Sequence, residues 1–307
     1  MNREDLVKNI LKLKEEKNAI IVAHSYQPDE IQELADVVGD SYMLSKKCVE
    51  SDANTIVFCG VHFMAESAKI LSPEKTVLLP VEDAGCPMAD MATAGELRQI
   101  KKDLGDVLTV CYINTSAEVK AECDVCCTSS NADKIVSEIR KEDNRKILFV
   151  PDRNLGGYIA GHESGDFVLW EGFCPTHNRI TEEDILEAKR KYPNAKAAIH
   201  PECREEVLAH ADYIGSTKGI IDYCSDTDFE EYIIGTEVGV LYELNKRNKD
   251  KKFYTLSDNF ICPNMKKTTL ESVYEALLYN QHNIDVDEEI RKAAKNCLDR
   301  MHELAEK

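Results

Sequence analysis

At 307 residues and a formal charge of −18, with 43% hydrophobic and 31% charged residues, the chain has a globular make-up too long for one compact core. So acidic a balance excludes nucleic acid or an anionic membrane as the main partner, because each requires a basic face. No apolar run reaches the ~18 residues of a membrane span, and the charged N-terminus MNREDLVKNILKLKEEK is unlike a signal peptide, so the expected location is cytoplasmic.

Leu6, Ile10 and Leu13 predict one apolar helical face in a segment 1–22. AIIVAH then reads as a buried strand, 28–38 as an amphipathic segment, NTIVFCG as a strand, MAESAKIL as a helix and TVLLP as a strand. LTVCYINT and later AAIHPE open the same succession again, and FVLWEGF and FYTLSDNF repeat its β-rich close. Residues 287–307, with IRKAAKNCLDRMHELAEK, predict a last helix. Short apolar runs separated by helices indicate α/β units with parallel sheets covered on both faces. The two terminal helices are expected to pack on these units and carry no chemistry.

The repetition has a period. Cys86, Cys174 and Cys262 are each followed by proline and stand 88 residues apart, where chance predicts about 0.35 Cys-Pro dipeptides in the whole chain. The same interval aligns His24, Tyr112 and His200; then Tyr26, Asn114 and Glu202; then Ser41, Ser129 and Thr217. A fixed interval of this kind marks internal duplication. The expected units are 23–110, 111–198 and 199–286. Three small αβα domains about a pseudo-threefold axis would bring the strand-end residues and the three cysteines to one central junction, since ligands of open parallel sheets sit beyond the strands' carboxyl ends.

In a cytoplasmic chain the 12 cysteines are expected to be buried, reactive or metal-bound rather than disulfide-linked. Three equivalent thiolates suit a [4Fe–4S] cluster with one iron left open as a Lewis acid. Zinc held by three Cys and water, and three unligated thiols, remain open on residue type alone. The conspicuous ECDVCC run, with Cys123, Cys126 and Cys127, has no counterpart in the other units and is set outside the cluster. Cys48, Cys59, Cys111, Cys203, Cys224 and Cys297 read as packing residues.

AHSYQPDEIQELADVVGDS, CGVHFMAESAKIL, DAGCPMAD, YINTSAEVKAECDVCCTSSNA, PDRNLGG, WEGFCPTH, HPEC, GSTKG and CPNMKK together closely resemble bacterial quinolinate synthases, over about 19–280. The resemblance implies a three-domain, pseudo-threefold fold and a transferase of NAD biosynthesis. It implies condensation of iminoaspartate with dihydroxyacetone phosphate, releasing phosphate and water, and functional coupling to L-aspartate oxidase. It also implies a [4Fe–4S] cluster on Cys86, Cys174 and Cys262. With Cys297 alone near the C-terminus, the chain is similar to the shorter members that lack a C-x-x-C-x-x-C run there. By motif, His24, Ser41, Tyr112, Asn114, Ser129, His200, Glu202 and Thr217 would bind substrate, with Tyr26, Tyr112, His200 and Glu202 catalytic and Glu202 the general base. His24 and His200 are expected to donate hydrogen bonds or carry protons near neutral pH. Lys218 is expected to add positive charge beside Thr217, and His177 to support Cys174 from outside the reacting groups. Gly156 and Gly157 read as a tight-packing or closing turn. The competing expectations are another iron–sulfur hydro-lyase or aldol-type enzyme, and an iron–sulfur redox sensor, which would need a partner surface the acidic chain does not advertise.

Overall fold

The computed structural model describes residues 2–307. Twelve strands form three four-stranded sheets. The first holds β1 (Ala19–His24), β2 (Val37–Gly39), β3 (Thr55–Cys59) and β4 (Thr76–Leu78). The second holds β5 (Val107–Tyr112), β6 (Val125–Cys127), β7 (Lys146–Val150) and β8 (Phe167–Leu169). The third holds β9 (Lys196–Ile199), β10 (Tyr213–Ile214), β11 (Glu231–Gly235) and β12 (Lys252–Thr255). The orders β2-β1-β3-β4, β6-β5-β7-β8 and β10-β9-β11-β12 are one topology three times, with every pairing parallel. Residues of β3 and β5 are buried throughout, as a sheet covered on both faces requires. In each sheet the strand order reverses between the first and third strands, and a crevice opens there beyond the carboxyl ends.

Helices α1 (Arg3–Glu16), α2 (Asp29–Leu34), α3 (Ser41–Glu50) and α4 (His62–Leu71) surround the first sheet's sequence, and α5 (Ala94–Leu104) leads to the second. There follow α6 (Ala117–Ala121), α7 (Ala132–Arg140), α8 (Arg153–Ala160), α9 (Pro175–Asn178) and α10 (Glu182–Lys191). The remainder are α11 (Glu205–Leu208), α12 (Thr217–Asp226), α13 (Val240–Arg247), α14 (Leu270–Tyr279) and α15 (Glu288–Glu306). The amphipathic stretch 28–38 thus divides: α2 ends at Leu34, and the β-branched Val37 and Val38 pair with β1. No helix is long and apolar enough to cross a membrane among the described residues. A Cβ on Gly156 would lie 2.8 Å from the Phe149 ring, so that glycine lets α8 approach β7.

A further repeat links the units. Thr93, Thr181 and Thr269 each close a capping box at the start of α5, α10 and α14, seven residues after each Cys-Pro cysteine. Four residues on, Leu97, Ile185 and Val273 are fully buried. Ile185 packs on the third sheet's Ala197 and Ile199, whereas Val273 packs with Ile21, Val57 and Leu78 of the first. Each unit therefore gives its last helix to the next sheet, and the third gives its helix to the first. The chain after α14 completes this closure: His282 O accepts the Leu79 N–H at 3.1 Å and Ile284 N–H donates to Val77 O at 2.8 Å. The closing helix α15 lies against the second unit, beside α6, β6 and α7.

Candidate active site

One cavity of about 150 Å³ is lined by all twelve residues aligned by the period. His24 and Tyr112 end β1 and β5, and His200 follows β9, so the strand ends at the three sheet reversals deliver them. Tyr26, Asn114 and Glu202 stand two residues later, and Ser41 and Thr217 are the first residues of α3 and α12. Ser129 lies in the turn before α7, whose cap residue Asn131 accepts the Thr128 N–H at 2.7 Å. The helices begin at the cavity because their caps are local: Asp40 accepts from Met43 N and Ser216 from Gly219 N.

Cys86, Cys174 and Cys262 are half-buried and line the same cavity. Each Cys-Pro opens a short helical turn, Pro175 occupying the first position of α9. That turn aims backbone N–H groups at the sulfur: from Met88 and Ala89 at Cys86, from His177 at Cys174, and from Asn264 and Met265 at Cys262. Two buried carboxylates hold the cysteines' own amides, Asp152 Oδ2 accepting from Cys174 N and Glu237 Oε1 from Cys262 N, both at 3.2 Å. Burial pushes the Cys86 thiol up to about 12, and raises Cys174 and Cys262, so ligation must expel protons. Three sulfurs, N–H donors directed at each, and free volume beside them fit a bound cluster of the three-cysteine kind.

A hydrogen-bonded chain crosses from this wall to Glu202. Tyr112 Oη donates to Glu202 Oε1 at 2.6 Å, and His177 Nδ1 lies 2.7 Å from Glu202 Oε2 and 3.2 Å from Cys174 Sγ. His177 Nε2 is 2.9 Å from Thr236 Oγ1, which is 2.6 Å from Tyr26 Oη, itself 2.7 Å from Thr217 Oγ1. Burial would raise the Glu202 carboxyl, but His177, His200 and the two hydrogen bonds hold it below the usual carboxylate range. With Glu202 ionised, the His177 tautomer with its proton on Nδ1 donates to Oε2 and accepts from Thr236 at Nε2, and the chain then runs in one direction, toward Glu202.

His24 and His200 share a motif. Their Nδ1 atoms accept the N–H of Tyr26 at 3.2 Å and of Glu202 at 3.3 Å, which leaves the proton on Nε2. His200 Nε2 accordingly donates to Ser129 Oγ at 3.2 Å. Burial lowers both imidazoles to about 3, so at neutral pH they are neutral hydrogen-bond donors, the first of the two roles expected from the sequence.

Four findings stand apart from the sequence reading. His177 touches Cys174 and, beyond what the sequence reading gave, also Glu202 and the cavity itself. Lys218 turns to Asp222 on the surface of α12 and does not line the cavity. Arg179, which the sequence reading passed over, lines it instead. Asp152 and Glu237 also went unnoticed, for a specific reason: both stand two residues past a third strand, but β3, β7 and β11 begin at 55, 146 and 231, which breaks the 88-residue interval. Val61 occupies that place in the first unit.

Fold and cavity define an α/β protein of three parallel-sheet units with a shared thiol-lined site, compatible with a bound metal cluster. The family model described as quinolinate synthetase A protein matches residues 8–303. Similar curated proteins named quinolinate synthase include that of Caldicellulosiruptor bescii, 58% identical over 99% of this chain and 100% of its own. Those of Caldicellulosiruptor saccharolyticus (56%, covering 99% and 100%) and Clostridioides difficile (51%, covering 99% of each) are also similar. The chain belongs to the quinolinate synthetase A family.

Proposed function

We propose that this chain condenses iminoaspartate with dihydroxyacetone phosphate to quinolinate, releasing phosphate and water, as a transferase of NAD biosynthesis coupled to L-aspartate oxidase. The observation that carries the reading is the meeting of three matched Cys-Pro thiols and an ionised Glu202 on one cavity. Cys86, Cys174 and Cys262 would hold a [4Fe–4S] cluster, whose iron without a protein ligand supplies Lewis acidity toward a substrate oxygen.

Glu202 takes the protons that dehydration and tautomerisation release, and the chain from Thr217 through Tyr26, Thr236 and His177, whose donors all point toward it, holds the carboxylate ionised for that step. Tyr112 fixes the second oxygen of that carboxylate. Substrate carboxylates and phosphate meet neutral donors: the Nε2–H groups of His24 and His200, Asn114, the hydroxyls of Ser41 and Ser129, and the positive starts of α3 and α12. Arg179 adds a guanidinium at the same wall. We also propose three structural units. Cuts at 23 and 111 fall inside β1 and β5, so each unit is better begun at the helix before its first strand, at α1, α5 and α10.

The test is an anaerobic assay for quinolinate from the two substrates, with iron measured on the same sample. Turnover with about four irons per chain is expected; iron-loaded protein without turnover rules out the synthase reading.

A further inference from the structure

Outside the cavity the chain gathers a second set of thiols that the sequence reading divided between packing and an isolated C-x-x-C. Register brings them together. Cys111 pairs with Cys126 across β5 and β6, and Cys297 of α15 lies over that pair. The three sulfurs fall within 4.8 Å of one another, with Cys111 Sγ and Cys297 Sγ 3.6 Å apart. Cys123, beyond the end of α6, is within hydrogen-bond range of Cys111 and donates its thiol to Val119 O at 3.1 Å. None of the four lines the active-site cavity.

We infer that Cys111, Cys123, Cys126 and Cys297 form a tetrathiolate zinc site that ties α15 to the second sheet. Sulfurs bound to one zinc at about 2.3 Å stand about 3.8 Å apart, close to the separation already present. Sulfurs so closely grouped leave room for a single ion and not for the eight core atoms of a cubane. The C-x-x-C spacing of Cys123 and Cys126 is the common half of a structural zinc site.

Charge supplies an independent reason. Lys120 is fully buried, and no carboxylate pairs with it among the described residues. Its ammonium donates to Thr115 O and lies 5.6 Å from the Phe63 ring centre. It lies close enough to act on Cys111 and Cys126, and Lys101 close enough to act on Cys123. A buried ammonium needs an anion. As Zn²⁺ binds, four thiols release four protons to solvent, leaving a site of charge −2 that the two ammonium groups offset. The four sulfurs go from thiol to thiolate at unchanged oxidation state, so no oxidant is involved.

The experiment uses full-length protein purified without oxygen, with zinc and iron determined together. About one zinc per chain is expected beside the iron. Cys126→Ser and Cys297→Ser should lose zinc and keep iron, while Cys262→Ser should lose iron and keep zinc. Cobalt-supplemented protein should show the thiolate charge-transfer and intense visible bands of tetrahedral Co(II), absent in Cys297→Ser. Should the buried serine variants fail to fold, Cys123→Ser, at the rim, should still weaken zinc in a chelator competition by at least tenfold. Wild-type protein that takes up no added zinc, zinc retained by Cys126→Ser or unchanged competition in Cys123→Ser would overturn the assignment. So would a Cys111–Cys297 disulfide in anaerobically trapped protein.

Discussion

Glu202→Gln separates proton transfer from architecture, because the substitution changes charge and donor pattern but hardly shape. The carboxylate receives two donors, Tyr112 O–H on one oxygen and His177 Nδ1–H on the other, at 2.6 and 2.7 Å. A glutamine has one acceptor and one NH₂, so one donor must face an N–H. His177 can answer by moving its proton to Nε2 and donating to Thr236, 2.9 Å away, which reverses the hydrogen-bonded chain and preserves the fold. The folding penalty is then limited to roughly 1–3 kcal/mol, that of one imperfectly satisfied buried group. Turnover should fall about 10²–10⁴-fold, or about 3–5 kcal/mol of barrier, as for the loss of a positioned base. Quinolinate formation, iron content and a urea midpoint measured on one anaerobic preparation distinguish these effects. Turnover within threefold of wild type, at full iron content, would refute proton transfer by Glu202. Loss of iron would refute it differently, by making the carboxylate a support of the cluster.

Cys86→Ser, Cys174→Ser and Cys262→Ser should each strip most of the iron, read by metal analysis and the visible absorption, and an iron-replete variant removes that cysteine from the ligand set. His24 and His200 have imidazoles lowered to about 3, against about 6.5 unfolded. Below pH 6.5 the unfolded chain therefore binds protons that the folded chain refuses, and stability is lost as pH falls from 6.5 toward 3. His24→Asn should lose about 2 kcal/mol less than wild type between pH 6.5 and 5 in urea titrations; parallel curves would deny the burial effect. Thr269→Ala removes the capping box that starts α14, at a cost of about 1 kcal/mol or about 2–4 °C in melting temperature. Because α14 closes the third unit onto the first, the loss should appear as faster amide exchange in β3 and β4, and an unchanged pattern there would show that the closure bears no load. Arg179→Ala should raise KM at least fivefold with kcat little changed, because its guanidinium lines the cavity outside the Glu202 hydrogen-bonded chain and would bind an anion there.

How much of this was legible in the sequence follows from what each feature depends on. Strand ends and Cys-Pro turns keep the 88-residue interval because they face a common cavity, so His24, Tyr112, His200 and the three cysteines were found by counting. The capping threonines Thr93, Thr181 and Thr269 keep it too, and a search for T-x-x-E, T-x-x-D or T-x-x-S after each Cys-Pro finds them. Asp152 and Glu237 escape because the third strands, and the residues two past them, slip by three residues out of the 88-residue interval. The thiol group of Cys111, Cys126 and Cys297 escapes because its last member lies 171 residues from the nearest of the others along the chain and meets it through α15. No spacing rule spans that distance.

The acidic total is compatible with the proposed anionic substrates because of where the charge sits. Surface carboxylates such as Glu182, Glu288 and Asp222 pair with neighbouring basic or histidine side chains. Inside, Asp152 and Glu237 accept from cysteine amides, Glu237 also pairs with Lys266 at 3.0 Å, and Glu202 accepts from Tyr112 and His177. What the cavity presents to a ligand is therefore mostly neutral: imidazole Nε2–H, hydroxyl, amide and helix-start N–H groups. Such donors bind oxyanions without a full counter-charge, and they keep their protons across the neutral range because burial holds His24 and His200 uncharged. A lysine in their place would neutralise a substrate carboxylate more strongly but would also pair with Glu202, taking from the base the charge its chemistry requires. Mostly neutral polarity, with Arg179 added at the wall, would keep the proposed anion binding and proton removal compatible in one small space.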